Sequence, residues 1–367
     1  MSKKLLFFHR SLINSVKLNK IFERKNLKKK IFFYFPKKNL TIKDIKYIEY
    51  LFQNLKKKYE IFFGHNIYNL KRNKFFFITE NYVSKLKNLD FFISNYICYN
   101  FPNNAKKVYL HHGIYDTPLT GKLIEKKTFK SILNYDYIFL PSKIIINSFI
   151  KYFKVSNKIK AKFLSTGYPR LDYLQNLRKN KLKKNSIIIA FANISAFTDH
   201  SILNFILPLV ERINSKFKYK IIIRPHPANK NYFNRKNLPI LFDYMDKNKN
   251  TKLDFSDNYI NSYFKSILMI TDISGTSYTY SFLTGSPVIF FSKNEKKYKK
   301  NYSKLNFFRD RDVIGKVITQ VSEIEKTIKY LTLNRSKITK KIYWLKSKRL
   351  DYVGSSQKRF SELIEKI

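Results

Sequence analysis

Short apolar runs alternate with amphipathic stretches along the whole chain. In the first half, residues 31–35, 59–63, 91–97, 107–111 and 137–140 have the length and composition of buried strands. Between them, residues 42–57 place Ile45, Ile48, Leu51, Phe52 and Leu55 on one helical face. Pro141-Ser142 then reads as a strand end leading into a helix over 143–153. The stretch 174–186 is polar, basic and without periodicity, the best linker candidate. After it the pattern restarts: strands at 186–191, 218–224, 267–271 and 287–291, helices at 201–217 and 278–284, and mostly helix over the last fifty residues.

Two successive βα arrays predict an α/β protein of two doubly wound domains facing a cleft. The expected division is 1–176, a linker at 177–186, a second domain at 187–340, and helices over 341–367 that pack back on the first domain. A length of 367 residues allows two cores of ordinary size.

Composition narrows the class. Hydrophobic residues make up 44% and aromatics 17%, too much apolar material for a disordered polycation. The single cysteine, Cys98, excludes a disulfide scaffold and a cysteine-based zinc site, and fits a reducing, cytoplasmic setting. The 73 Lys+Arg against 25 Asp+Glu give a formal charge of +48, which invites a polyanion partner. Yet Lys, Asn, Ile, Phe and Tyr, which share A/T-rich codons, are all abundant, and arginine, the better reader of phosphate and bases, is not. Codon bias is therefore the leading cause, with attraction to anionic lipid or substrate a secondary effect, and no nucleic acid is expected as partner. The basic start has an apolar run too short for a secretory signal, and no run of about 18 apolar residues offers a membrane span. Any membrane contact would be peripheral, at the inner face.

Ligands of open α/β sheets bind beyond the carboxyl ends of strands, so unusual residues there are the candidates. Three places stand out. Val108-Tyr-Leu-His111-His112-Gly113 closes a strand, and Gly113 lets the backbone turn and approach a ligand. A neutral imidazole there can take a proton from a hydroxyl, although a hydrogen-bonded turn histidine is the plain alternative. Neighbouring strand-end residues face opposite ways, so at most one of His111 and His112 faces the cleft.

At Ile221-Ile-Ile-Arg224-Pro225-His226-Pro227, two prolines fix a turn that offers Arg224 and His226 to a phosphate, or forms a rigid surface turn only. At Thr271-Asp272-Ile-Ser274-Gly275-Thr276-Ser277, a strand, a small-residue loop and a helix start suit an anion. A simple N-cap would need one hydroxyl rather than three. Neither a P-loop nor a Gly-x-Gly-x-x-Gly fingerprint is present. In a chain with only 8 glycines, Gly113, Gly167 and Gly275 all fall in such loops. Gly167 lies in Ser165-Thr-Gly-Tyr-Pro-Arg170-Leu-Asp172, a plain turn or a cleft edge. His9, His65 and His200 lack comparable surroundings and are read as structural.

His112-Gly113, Gly167-Tyr-Pro-Arg170-x-Asp172, Arg224-Pro-His226-Pro, Thr271-Asp272-x-Ser274, Gly285-x-Pro287 and Gly354-Ser-Ser-x-x-Arg359 occur in the order seen in the CDP-glycerol glycerophosphotransferase family of teichoic-acid and capsule polymerases and primases. Over residues 90–367 the chain resembles that family. It departs at His111, where the family has an aromatic, at Ile114-Tyr-Asp116 inserted before Thr117-Pro-Leu119, at Ser274-Gly275 in place of paired serines, and at Ala190–Asn193.

The resemblance implies a GT-B-like architecture of two Rossmann-like domains, the first on the acceptor side and the second binding the donor. It implies transfer of glycerol phosphate, or a related polyol phosphate, from a CDP-activated donor to a hydroxyl of a glycan or lipid-linked acceptor, releasing CMP. His112 and His226 would be catalytic. Gly113, Arg170, Arg224, Asp272, Ser274, Gly275, Thr276 and Ser277 would bind substrate. No cofactor or protein-bound metal is implied, though a divalent metal could come with the donor diphosphate. A GT-B glycosyltransferase using a nucleotide sugar shares this architecture, and a basic binding protein without catalysis is the remaining alternative.

Overall fold

The computed structural model describes residues 3–24, 28–36, 41–67, 72–115, 131–153, 159–177, 182–194, 201–256 and 259–367. They form two compact units. The first comprises Met1–Gly113, Leu123–Pro169 and Asp351–Ile367, the second Ile114–Lys122 and Arg170–Leu350.

The first unit is built on a parallel sheet of seven strands: β1 (Lys29–Phe35), β2 (Tyr59–His65), β3 (Phe75–Phe77), β4 (Phe91–Ser94), β5 (Lys106–Leu110), β6 (Tyr137–Leu140) and β7 (Lys162–Ser165). Their order is β3-β2-β1-β4-β5-β6-β7, with Phe33 in register with Phe63 and Ile93. A parallel sheet is covered on both faces, so its strands read as continuous apolar runs. On one face Leu18 and Phe22, from the helix Lys3–Glu23, join Phe32, Phe62 and Phe92 in the core. Elsewhere in the unit, Phe33 meets Phe52, and Phe52 and Phe139 meet Phe360 of the last helix, Ser356–Lys366.

The second unit holds six parallel strands: β8 (Ser186–Ala190), β9 (Lys220–Arg224), β10 (Thr251–Leu253), β11 (Ser266–Thr271), β12 (Val288–Phe291) and β13 (Gly315–Ile318), in the order β10-β9-β8-β11-β12-β13. Ile187, Ile188, Ile189, Ile221, Ile223, Met269 and Ile289 lie fully buried at its centre. Each sheet reverses its order once, at β1/β4 and at β8/β11, and the carboxyl ends beside such a switch are where doubly wound folds bind ligands.

Several expected elements are shorter in the structure, for local reasons. The helix expected over 42–57 ends at Leu51 after a Thr41–Asp44 capping box, and Leu55 stays buried in a separate 3-10 turn, Leu55–Lys57, so the apolar spacing outlasts the helix. The strand expected to reach residue 97 stops at Ser94, whose hydroxyl donates to the Tyr96 carbonyl (2.8 Å) and accepts from its N–H (3.2 Å), a side-chain turn that competes with the ladder. The helix expected from 201 begins at Ile206 after a 3-10 turn, because Pro208 is tolerated only in a first turn. Four strands carried no readable pattern: β3 and β10 are three residues long, and β7 and β13 are partly exposed edges.

The division into units also differs from the one expected. The helix Pro169–Asn176 falls almost wholly in the second unit, with Asp172 facing Lys346. Residues 341–350 stay there too, because Arg349 forms a two-pronged ion pair with Asp310 (2.6 and 3.0 Å). From Asp351 onward the chain belongs to the first unit. The Asp351 carboxylate accepts from Lys143 N (2.9 Å) and Ser165 Oγ (2.6 Å), and its N–H donates to Pro141 O (3.1 Å). Gln357 Nε2 donates to Leu51 O (3.2 Å).

Phe360 is fully buried against two aromatic rings, so Phe360→Ala should cost about 3–5 kcal/mol in chemical denaturation. Leu333→Ala, at a side chain 86% exposed, should leave the midpoint nearly unmoved.

Candidate active site

In the first unit, β5 delivers two histidines with different surroundings. His111 is buried, its Nδ1 lying 3.3 Å from the Tyr109 hydroxyl, and its N–H makes the last bond to the sheet, at Phe139 O (3.0 Å). His112 is exposed, and its ring lies parallel to that of Tyr96, 5.1 Å away and tilted by 12°. Its Nδ1 is 3.1 Å from the carbonyl oxygen of Asn95. A carbonyl only accepts, so Nδ1 carries the proton, and in the neutral ring the lone pair is on Nε2. Gly113 follows with His111 close by: a Cβ at 113 would stand 3.2 Å from His111 Nε2.

Asn95 and Tyr96 were not among the expected site residues. They follow β4 at the switch point, and the apolar run to residue 97 disguised them as strand. Tyr168, likewise outside the expected set, donates its hydroxyl to the carbonyl of His112 (2.9 Å).

In the second unit, His226 is exposed and caps the 3-10 turn Pro227–Asn229. Its Nδ1 accepts from Ala228 N (3.2 Å), so in the neutral ring the proton is on Nε2. This is the reverse of His112, whose neutral ring carries its proton on Nδ1.

Arg224 does not present its guanidinium as expected. It pairs with the Asp254 carboxylate (3.0 Å), donates to Asp254 O (3.2 Å) and Ser256 O (2.8 Å), and lies 5.4 Å from the centre of the Tyr259 ring. It ties β9 to the loop after β10. Burial pushes Asp254 up, but hydrogen bonds from Ser256 and Ser262, with the Arg224 charge, hold its carboxyl below the ordinary value.

The loop after β11 also divides differently. Asp272, expected to hold donor phosphate, is only 2% exposed and accepts from Ala192 N (3.1 Å) and Ser274 N (3.1 Å). It fastens the chain beyond β8 to the chain beyond β11, and a carboxylate there would repel an anion. Burial pushes it up to about 7, against backbone hydrogen bonds that favour the charged form. Ser277 is buried, with its hydroxyl donating to Ser274 O (2.9 Å), a helix-start bond internal to the loop.

Ser274 and Thr276 are half-buried and Gly275 is exposed, at the start of the helix Thr276–Thr284. Gly275 has ordinary helical backbone (φ −61°), and a Cβ there would meet nothing within 4 Å, so the fold does not demand glycine; the space in front of this helix start is open. Thr276 Oγ1 bonds the hydroxyl of Tyr263. Burial and Tyr259 push Tyr263 up to about 12, while Thr276 and the charges of Arg224 and Arg170 pull the other way. Arg170 therefore lies within electrostatic reach of this helix start.

Of the remaining histidines, His65 is 1% exposed, accepts from Ile67 N (3.1 Å), and is pushed down to about 4 by burial and the Arg10 charge, a structural role. His9 lies in the helix Lys3–Glu23, and His200 falls outside the described residues, as do Thr117, Pro118 and Leu119. Among the described residues no group of three or more His, Cys, Asp or Glu side chains is placed to hold a metal ion, and no helix is long and apolar enough to cross a membrane.

A model of the CDP-Glycerol:Poly(glycerophosphate) glycerophosphotransferase family matches residues 16–366. No curated protein matches the sequence. Among solved structures, that of the wall teichoic acid polymerase TagF is similar at 19% identity and a TM-score of 0.64, over 100% of this chain and 98% of that one. A variant of it soaked with CDPG gives 18% and 0.62, over 100% and 98%. The UDP-GlcNAc 2-epimerase of Methanocaldococcus jannaschii, in complex with UDP-GlcNAc and UDP, gives 14% and 0.60, over 92% of this chain and 100% of that one. The fold they share with this chain is of the GT-B type.

Asp272 supplies a test of the loop. Its carboxyl sits at about 7 in the folded chain against about 3.9 when unfolded, so its favourable contribution is full below pH 4 and is lost as pH rises through 7. Asp272→Asn should remove that component: thermal melts from pH 5 to 8 should show wild type losing stability relative to the variant as pH rises.

Proposed function

The chain belongs to the CDP-glycerol:poly(glycerophosphate) glycerophosphotransferase family and is a transferase, and from that premise we propose which of its groups perform the transfer. The reading rests on one observation, the opposite proton placement of His112 and His226.

On the acceptor side, Nε2 of His112 takes the proton of the acceptor hydroxyl, belonging to a cell-surface glycan or a lipid-linked polymer. The oxygen so freed attacks the β-phosphorus of CDP-glycerol. The bond from that phosphorus to the bridging oxygen breaks, CMP leaves with the electron pair, and a glycerol phosphodiester remains on the acceptor. Asn95 O keeps His112 in the tautomer this needs, and the ring of Tyr96 sets its plane.

On the donor side, Nε2–H of His226 donates to a phosphate oxygen, offsetting charge as CMP departs. The start of the helix Thr276–Thr284 and the hydroxyl of Ser274 receive phosphate, with positive charge from Arg170. Arg224 and Asp272 act at one remove, by holding the loops that carry these groups. A divalent cation, where the reaction uses one, arrives with the donor diphosphate.

Peripheral attachment to anionic membrane is part of the same proposal. The helix Arg335–Arg349 turns Lys337, Lys340, Lys341, Trp344 and Lys348 outward, with the only tryptophan of the chain 56% exposed. An exposed indole among lysines suits a negatively charged lipid surface.

His112→Ala should lower CMP release from CDP-glycerol by about 10²–10⁴-fold, and His226→Ala by about 10²–10³-fold, each in a variant that still unfolds in one cooperative transition. Normal turnover in either variant would refute the assignment. A screen of CDP-, UDP- and GDP-activated donors should yield CMP from CDP-glycerol; release of a nucleoside diphosphate instead would mark a glycosyltransferase. Trp344→Ala combined with Lys340→Glu and Lys341→Glu should weaken sedimentation with phosphatidylglycerol vesicles and leave CMP release from CDP-glycerol in solution unchanged.

A further inference from the structure

We propose that Tyr168 is a positioning residue for the base His112, an inference that rests on the role given to His112 above. The sheet ceases to hold the chain one residue too early for the base. His111 N–H makes the final bond to β6, and the next peptide carries His112 into Gly113, which has no side chain to anchor it. The described bond on the carbonyl of that peptide comes from the Tyr168 hydroxyl, at 2.9 Å.

Tyr168 is itself firmly placed. It is 6% exposed, Pro169 follows it, and Gly167 precedes it in the left-handed region (φ +73°). Ser356 Oγ and Asp351 O come so near Gly167 that a Cβ there would stand 2.4 and 2.6 Å from them. The tyrosine is thus a rigid post whose one polar atom reaches the backbone of the base. Asn95 O and Tyr96 set the ring, and Tyr168 sets the peptide from which the ring is hung.

Tyr168→Phe removes the hydroxyl and keeps the ring. The expected result is a kcat for CMP release from CDP-glycerol lowered about three- to tenfold, the loss of a single hydrogen bond, with KM for CDP-glycerol unchanged. The imidazole ¹⁵N spectrum reads the geometry directly: His112, assigned through His112→Ala, should be the Nδ1–H tautomer in wild type and a mixture of tautomers in Tyr168→Phe. A merely structural tyrosine would leave that signal unmoved. Unchanged kcat with an unchanged tautomer in the folded variant overturns the proposal, as does an Nε2–H tautomer at His112 in wild type, which needs no variant to observe. If wild type releases no CMP from CDP-glycerol, the functional reading fails, while the tautomer of Tyr168→Phe still decides whether Tyr168 positions His112.

Discussion

A strand buried on both faces has room for polar chemistry only at its ends. The placement of the candidate residues in this chain follows from that constraint. The interiors of β8 and β9 are three consecutive buried isoleucines each, Ile187–Ile189 and Ile221–Ile223. Parallel strands all point the same way, so their carboxyl ends collect along one edge of each sheet. His112, Asn95 and Tyr96 sit along that edge in the first unit, and His226, Asp272 and the Ser274–Thr276 turn along it in the second.

The same constraint explains what could be read in advance. Apolar runs bounded by unusual residues located the central strands and the histidines, because both signals lie within a few neighbouring positions. Partners far along the chain were invisible. Arg224 looks like a phosphate ligand until Asp254, thirty positions on, occupies its guanidinium. Asp272 looks like part of an anion cradle until the Ala192 amide, eighty positions earlier, claims its carboxylate. Asn95 and Tyr96 were hidden for another reason: the Ser94 hydroxyl ends β4 by a bond to backbone two residues on, which no hydrophobic pattern records. Short edge strands such as β3 and β10 escaped because three residues cannot establish a period.

The excess of lysine reads differently beside the ion pairs. The pairs lying mostly out of solvent, Arg311–Glu295, Arg349–Asp310 and Arg224–Asp254, all use arginine. The described lysine pairs, Lys58–Glu365 and Lys329–Glu325, lie at the surface. Arg311, 2% exposed, also stacks 4.6 Å from the centre of the Phe308 ring, a contact that a flexible ammonium would not reproduce. Arginine also forms exposed pairs, such as Arg72–Glu49 and Arg235–Asp243, but in these three it fits a flat, forked cation between fixed groups.

The mirrored tautomers of the two histidines give protonation a different local consequence at each. A proton added to Nε2 of His112 leaves the bond from Nδ1–H to Asn95 O intact. At His226 a proton on Nδ1 would face the Ala228 N–H as one donor against another, and the bond that caps the turn Pro227–Asn229 would be lost. The same protonation is therefore compatible with the backbone at one histidine and opposed by it at the other.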